Sequence, residues 1–191
     1  KYLRKILKEG ERVIVEGTQG FGLSLLHSEH YPNVTSRDVT AASFISESGL
    51  SPLDVDDIVL VLRAFPIRVS GKSGLLANEI DWQTLSEESG SEELLQERTT
   101  VTNNVRRVAR FDHEVVVSAI SGNAPTKIVL NHLDYLDVGC FDSEIISKKL
   151  ASFISSIERD VGQKVDYLGT SPSKIIENIE YSNSKILDAA E

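Results

Sequence analysis

The segment Glu16-Gly17-Thr18-Gln19-Gly20-Phe21-Gly22 follows a β-branched run, Val13-Ile14-Val15, and leads to Tyr31-Pro32-Asn33-Val34-Thr35-Ser36-Arg37-Asp38. Glycines at such a break let the main chain approach a ligand where a side chain would stand in the way. The Gln19 amide offers a donor and an acceptor, which suits a purine edge or a phosphate. The Thr35 hydroxyl is of the kind that, near main-chain amides, is a usual anion contact. Arg37 and Asp38 read as a local ion pair that holds the loop. Together these residue types describe a nucleotide pocket. Lys72, in Ser70-Gly71-Lys72-Ser73-Gly74, is of the type that meets a phosphate, although such a loop lysine is more often solvated.

The order of these segments resembles the adenylosuccinate synthetase family. EGTQG corresponds to the family's EGAQG, and YPNVTSRD to its YPYVTSRD. Arg63-Ala64-Phe65 with Arg68-Val69 follows its KAYTTRV, and Thr102 to Asp112 its TTGRRRRTGWLD. Leu133-Asp134-Tyr135-Leu136-Asp137 follows its TKLDVLD, and Leu168-Gly169-Thr170-Ser171-Pro172 its ISTGP. The resemblance implies that Gln19 and Thr35 hold IMP and that Val69 lines the nucleoside pocket. Thr102 and Arg106 would hold L-aspartate, since a guanidinium fork matches a carboxylate. Val101 stands where the family has a threonine and Asn104 where it has an arginine. That loss weakens aspartate binding or shifts the task to Arg98, Arg107 or Arg110. Asp134 would read the guanine of GTP, because a carboxylate accepts two parallel hydrogen bonds from the ring N–H and the exocyclic amine. His132, in place of a lysine, would stack on the base, and Gly169 and Thr170 would close over it.

The implied reaction joins L-aspartate to IMP with GTP as co-substrate and Mg²⁺ bridging its phosphates, in a homodimer. The family's phosphate loop, a GDEGKGK-type segment, does not occur in the sequence. The phosphate loop, the acid–base residues and most Mg²⁺ ligands are therefore expected in a preceding segment, with no catalytic residue and no metal ligand in residues 1–191. On this reading those residues form the C-terminal nucleotide- and aspartate-binding part of the enzyme and are inactive alone. Two other readings stay open: a virus-type relative acting on dGMP, and a nucleotide-binding relative without catalysis.

Composition narrows the classes. The chain has 191 residues, 40% of them hydrophobic and 26% charged, which is ordinary for one globular core. A net charge of −9 argues against a nucleic-acid binder, which needs a basic stripe. No stretch reaches the roughly 20 apolar residues of a membrane span. The single Cys140 excludes an internal disulfide and a multi-cysteine zinc site, and makes a cytoplasmic location the default. Cys140 itself reads as buried and inert. His27, His30 and His113 lack metal-ligand spacing. The sequence opens on Lys1 and contains no Met. A piece of a longer protein, or modified methionines left out of the sequence, would both account for that.

The elements that position these residues alternate. Lys1–Leu7 reads as a helix end closed by Gly10, and Val13–Glu16 as a buried strand. Thr40–Ser48 reads as a helix capped by Thr40 and ended by Gly49. The apolar run in Asp57–Phe65 predicts a strand inside the sheet, stopped by Pro66. Gly71–Gly90 reads as a loop anchored by Trp82. A helix opened by Asp112 follows, then a strand at Lys127–Leu130 and an amphipathic helix over Ser143–Ile157. A last strand at Val165–Leu168 precedes a short helix near Pro172–Asn178. Strands separated by helices imply an α/β fold with a mainly parallel central sheet flanked by helices. The resemblance makes it part of a P-loop-like nucleotide ligase fold.

Overall fold

The computed structural model describes residues 2–27 and 29–178. They form two compact units, residues 2–27 and 29–58 with 118–126, and residues 59–117 with 127–178.

The first unit contains the helices α1 (Tyr2–Lys8) and α2 (Ala41–Ser48) and a single 3-10 turn at Phe21–Leu23 between them. Thr40 caps α2, its side chain accepting from the Ser43 N–H, and Gly49 ends it with φ at 71°. Both signals are local, and both act as the sequence predicts. Val13–Glu16 is not a strand. The segment makes no ladder with any described residue, and Ile14 is 92% exposed. A β-branched run favours extended backbone, but a strand exists only where a neighbour accepts its hydrogen bonds.

The second unit is built on a four-stranded sheet of β1 (Val59–Arg63), β5 (Lys127–Asn131), β6 (Tyr167–Ser171) and β7 (Lys174–Glu177), in the order β1-β5-β6-β7. β1 pairs parallel with β5 and β5 parallel with β6, while β7 returns antiparallel. A smaller antiparallel sheet has the order β2-β4-β3, from Ile67–Arg68, Arg107–Ala109 and Glu79–Ile80. Helices α3 (Trp82–Ser89), α4 (His113–Asn123) and α5 (Lys148–Val161) complete the elements. Helix α4 belongs to the second unit through Val117 and to the first from Ser118. Asp112 opens it, accepting from the Val115 N–H.

Four expectations are corrected here. β1 is an edge strand among the described residues: Leu62 is buried, but Val59 and Val61 are more than half exposed. Part of the predicted loop at Gly71–Gly90 is helix α3, capped by Asp81 and ended by Gly90. Its buried face is Trp82, Leu85, Ser86 and Ser89, so two serines stand where a periodicity test looks for apolar residues. Their hydroxyls are satisfied internally, Ser86 donating to the Trp82 carbonyl and Ser89 to that of Ser86. Helix α5 begins at Lys148, after its cap Ser147, five residues later than the apolar pattern suggested. Finally, Pro172–Asn178 is not helical: Pro172 and Ser173 turn the chain back into β7.

The core of the second unit joins both sheets. Ala64, Phe65, Trp82, Leu85 and Val108 are buried together, with Tyr135, Leu136 and Phe153 packed against them. Trp82 is the anchor its size suggests, each such buried large side chain contributing about 1.5–3 kcal/mol.

Candidate functional site

In the first unit the Phe21–Leu23 turn lies between the two residues expected to hold a nucleotide. Gln19 leads into it, exposed and in the left-handed region at φ 70°. Thr35 is fixed to its far end, donating its N–H to the Leu23 carbonyl at 2.8 Å. The Thr35 hydroxyl donates to the Arg37 carbonyl at 3.0 Å. The surrounding loop is knitted by Asp38, which accepts from Ser24 Oγ at 2.7 Å and Thr40 Oγ1 at 2.6 Å. Burial alone would raise the Asp38 pKa. The Thr40 and Ser24 hydroxyls and the nearby His27 outweigh that and hold it below the usual 3.8. The Arg37–Asp38 ion pair is not formed; Arg37 reaches Glu47 at 3.2 Å instead. The loop glycines also differ in what they do. A Cβ on Gly17 would stand 2.6 Å from the Phe44 ring, which would have to shift, whereas Gly20 faces open space.

In the second unit the relevant residues gather where the parallel strands end. Ligands of open α/β sheets bind beyond the carboxyl ends of strands. Arg63 ends β1 opposite Asn131, which ends β5. His132 follows at φ 63° and starts the 3-10 turn Leu133–Tyr135 that carries Asp134. Burial raises the Asp134 pKa above the ordinary 3.8, partly offset by main-chain N–H groups and the Arg63 charge. Burial, with Arg63 adding to it, lowers that of His132 and favours the neutral ring. This ring lies against Tyr135, centroids 5.0 Å apart. At the end of β6, a Cβ on Gly169 would collide with Asn131 Oδ1 and lie 3.2 Å from its Cα. The Thr170 side chain is fully buried, its hydroxyl donating to the Ser143 carbonyl, which leaves its main chain for any ligand.

The stretch 97–106 forms a hairpin-like loop. Arg98 and Val105 bridge, the Thr99 N–H donates to the Asn104 carbonyl, and the Thr99 and Thr102 hydroxyls lie 2.6 Å apart. Thr102 and Asn104 are exposed at its tip. The arginines around it differ sharply. Arg63 pairs with Glu97, Arg98 binds Gln96 and the Asn103 carbonyl, Arg107 grips Glu79, and Arg110 grips Glu88. The Arg106 guanidinium has no hydrogen bond or ion pair to any described residue, while its main chain is clamped. Its N–H donates to the Glu97 carbonyl at 2.8 Å, and its carbonyl accepts from the Trp82 indole at 2.7 Å. Thus Arg98, Arg107 and Arg110, the expected substitutes for the missing arginine, are engaged elsewhere.

Val69 is half exposed at the end of β2, its carbonyl accepting from Ser73 Oγ. Arg107 donates to the Gly74 carbonyl and so fixes the 70–74 loop, in which Lys72 is exposed. Cys140 is buried, and burial, with Asp134 and Asp137 adding to it, pushes its thiol up to about 12. His27 stacks on Phe21, and His113 Nδ1 lies 2.7 Å from Asp160 in ion-pair rather than hydrogen-bond geometry. Among the described residues, no group of three or more His, Cys, Asp or Glu is placed to hold a metal ion. No described helix is long and apolar enough to cross a membrane. Sequence reasoning missed Glu97. A lone acid between Gln96 and Arg98, just before an arginine-rich segment, is the signal that could have drawn attention to it.

Three comparisons bear on this geometry. The family model described as adenylosuccinate synthetase matches residues 1–142. The adenylosuccinate synthetase of Methanococcus maripaludis is 37% identical over 184 residues, covering 95% of this chain and 52% of the relative. That of Thermococcus onnurineus is 39% identical over 169 residues, 87% of this chain and 48% of the relative. The chain therefore spans about half the length of the curated relatives it matches. Among solved structures, a cyanophage S-2L succinoaminodeoxyadenylate synthetase bound to dGMP and dATP is similar at TM-score 0.65 and 30% identity, over 85% of this chain and 45% of that one. A fully ligated adenylosuccinate synthetase from Plasmodium falciparum, 18% identical, shares the fold at TM-score 0.76 over 93% of this chain and 53% of its own. With an α/β fold and a matching family model over most of its length, the chain belongs to the adenylosuccinate synthetase family.

Proposed function

We propose that this chain is the IMP-, aspartate- and guanine-binding part of a carbon–nitrogen ligase that joins L-aspartate to IMP at the expense of GTP. The γ-phosphoryl group of GTP would pass to the 6-oxygen of IMP, and the aspartate amine would then attack C6 and expel phosphate. The observation that supports this most is Arg106. Its guanidinium has no partner among the described residues, while Arg63, Arg98, Arg107 and Arg110 around it are all engaged. A fork held ready by a clamped main chain is suited to a substrate carboxylate. Thr102 would add a hydroxyl beside it. Asp134, ionised, would accept the guanine N–H groups, with His132 stacked on the base and Gly169 and the Thr170 main chain at its edge. Gln19, Thr35 and Val69 would hold IMP.

Among the described residues no group of three or more His, Cys, Asp or Glu is placed to hold a metal ion, and the roles above belong to these side chains alone. The phosphate loop, the acid–base residues and the metal site belong, on this reading, to a segment outside the 191 residues. By the same reading we assign the whole protein to the cytoplasm, as a homodimer. Calorimetric titration of the 191-residue chain with IMP, GTP and dGMP should show binding of IMP and GTP. The chain alone should form no adenylosuccinate, and the full-length gene product should form it. Tighter binding of dGMP than IMP would favour the activity type of the cyanophage relative, and binding without turnover by the full-length product would favour a non-catalytic relative.

A further inference from the structure

We propose that Glu97 is a positioning residue that couples the aspartate-binding loop to the guanine-reading turn, so that each ligand tightens the other. This rests on the assignment of Arg106 to aspartate and Asp134 to guanine. Glu97 holds the two segments by different atoms. Its main-chain carbonyl accepts the Arg106 N–H at 2.8 Å. Its carboxylate forms the ion pair with Arg63 at the end of β1. The Tyr135 phenol, one residue beyond Asp134, is pushed up to about 12, first by burial and then by the nearby charge of the Glu97 carboxylate. Trp82 spans the same two segments a second time. Its indole N–H donates to the Arg106 carbonyl, and its ring meets Tyr135 edge-on with centroids 6.1 Å apart.

The Arg106 main chain is therefore clamped at both its N–H and its carbonyl; the Trp82 clamp meets Tyr135 directly, and the Glu97 carboxylate acts on it by charge. A base that fixes the Leu133–Tyr135 turn also fixes Glu97 and Trp82, which sets the direction of the free guanidinium. Charge acts the same way. Arg63 is near enough to Asp134 to stabilise its carboxylate, and Glu97 holds Arg63 in its own ion pair. Without the Glu97 charge, Arg63 is released to capture Asp134 and competes with guanine for the same oxygens.

The test measures aspartate affinity of the full-length gene product by calorimetry, with IMP present and with or without saturating GDP, which carries guanine but permits no turnover. Glu97→Gln removes the charge, and Tyr135→Phe removes one hydroxyl and leaves the ring packed. In the unaltered protein GDP should tighten aspartate binding at least about fivefold, the lower end of usual coupling between sites. Either variant should bring the ratio close to one, with the far-ultraviolet circular dichroism unchanged. Should Glu97→Gln not fold, Tyr135→Phe decides alone. Both ligands binding without mutual effect, or coupling that survives in the folded variants, overturns the proposal. An unaltered protein that binds neither ligand overturns the functional reading, and this proposal with it.

Discussion

Arg106 and Arg107 are adjacent, of one type, and used in opposite ways. Arg107 donates to both Glu79 oxygens, to Ser73 Oγ and to the Gly74 carbonyl, so its guanidinium is spent on structure. Arg106 contributes its main chain to structure and leaves its side chain unpaired among the described residues. Removing a group that has no partner disturbs little in the free protein, whereas removing one that holds a ligand carboxylate costs charged hydrogen bonds. Arg106→Ala should thus leave the urea midpoint within experimental error. It should weaken aspartate binding by about 1.5–3 kcal/mol, on the order of ten- to a hundredfold. Arg107→Ala should do the reverse, lowering the midpoint first. Equal loss of stability in the two variants would remove the distinction and the assignment of Arg106 with it. The asymmetry was not readable from the sequence, in which the two arginines stand side by side; Glu79, which claims Arg107, arrives from β3.

Elements set by local chemistry were legible, and those set by distant partners were not. Helix α2 follows from Thr40 and Gly49, which act within a turn of the helix they bound. The Val13–Glu16 run and the apolar stretch of β1 instead depended on which strands lie beside them, and pattern alone overstated the burial of both. Helix α3 was hidden by the serines on its inner face, and β7 by a proline that reads equally as a helix start or a turn. In the candidate site the motifs named the residues, but not that Gly169 answers to a strand neighbour. There β6 passes so close to Asn131 that a Cβ at Gly169 meets both its amide and its main chain. Gly169→Ala should destabilise the fold by about 1–3 kcal/mol through overpacking. Adding Asn131→Ala removes the amide but leaves the crowding from the β5 main chain, so the double variant should recover only part of the lost urea midpoint. A single variant as stable as the unaltered chain would show that the strands separate freely and that Gly169 is there for the ligand alone.

Across the whole molecule, the acidic groups decide how the fold responds to pH. Four carboxylates have pKa values held below their ordinary ones. Asp38 is lowered by hydroxyl donors and His27 against its burial, Glu79 first by its Arg107 hydrogen bonds, Asp81 first by the Thr84 N–H, and Glu88 first by Arg110. Each of these is stabilised when ionised in the folded state, so its contribution is complete above the unfolded value, 3.8 for Asp and 4.5 for Glu, and is lost as pH falls through the lower folded value. Asp134 acts in the other direction. Its raised pKa means that the fold prefers it protonated, and acid relieves a small strain there. Four groups against one, joined by His132, which burial keeps neutral in the fold below its ordinary 6.5, make the unfolded chain take up more protons in acid, so stability should begin to fall below about pH 6.5 and fall more steeply below about pH 4.5. Because Glu79 and Glu88 are largely exposed, salt screens their share, and the fall should be shallower at high ionic strength. Glu88→Gln should be less stable at neutral pH and lose less on acidification, since the charge that titrates is already gone. Guanine binding runs against the Asp134 preference: the base needs the carboxylate, so GTP affinity should decline on acidification at a higher pH than an ordinary aspartate would allow. Urea midpoints and GTP titrations at pH 7, 5.5, 4.5 and 3.5 separate the two effects. An affinity that holds down to the pH at which the fold itself gives way would mean that Asp134 does not read the base.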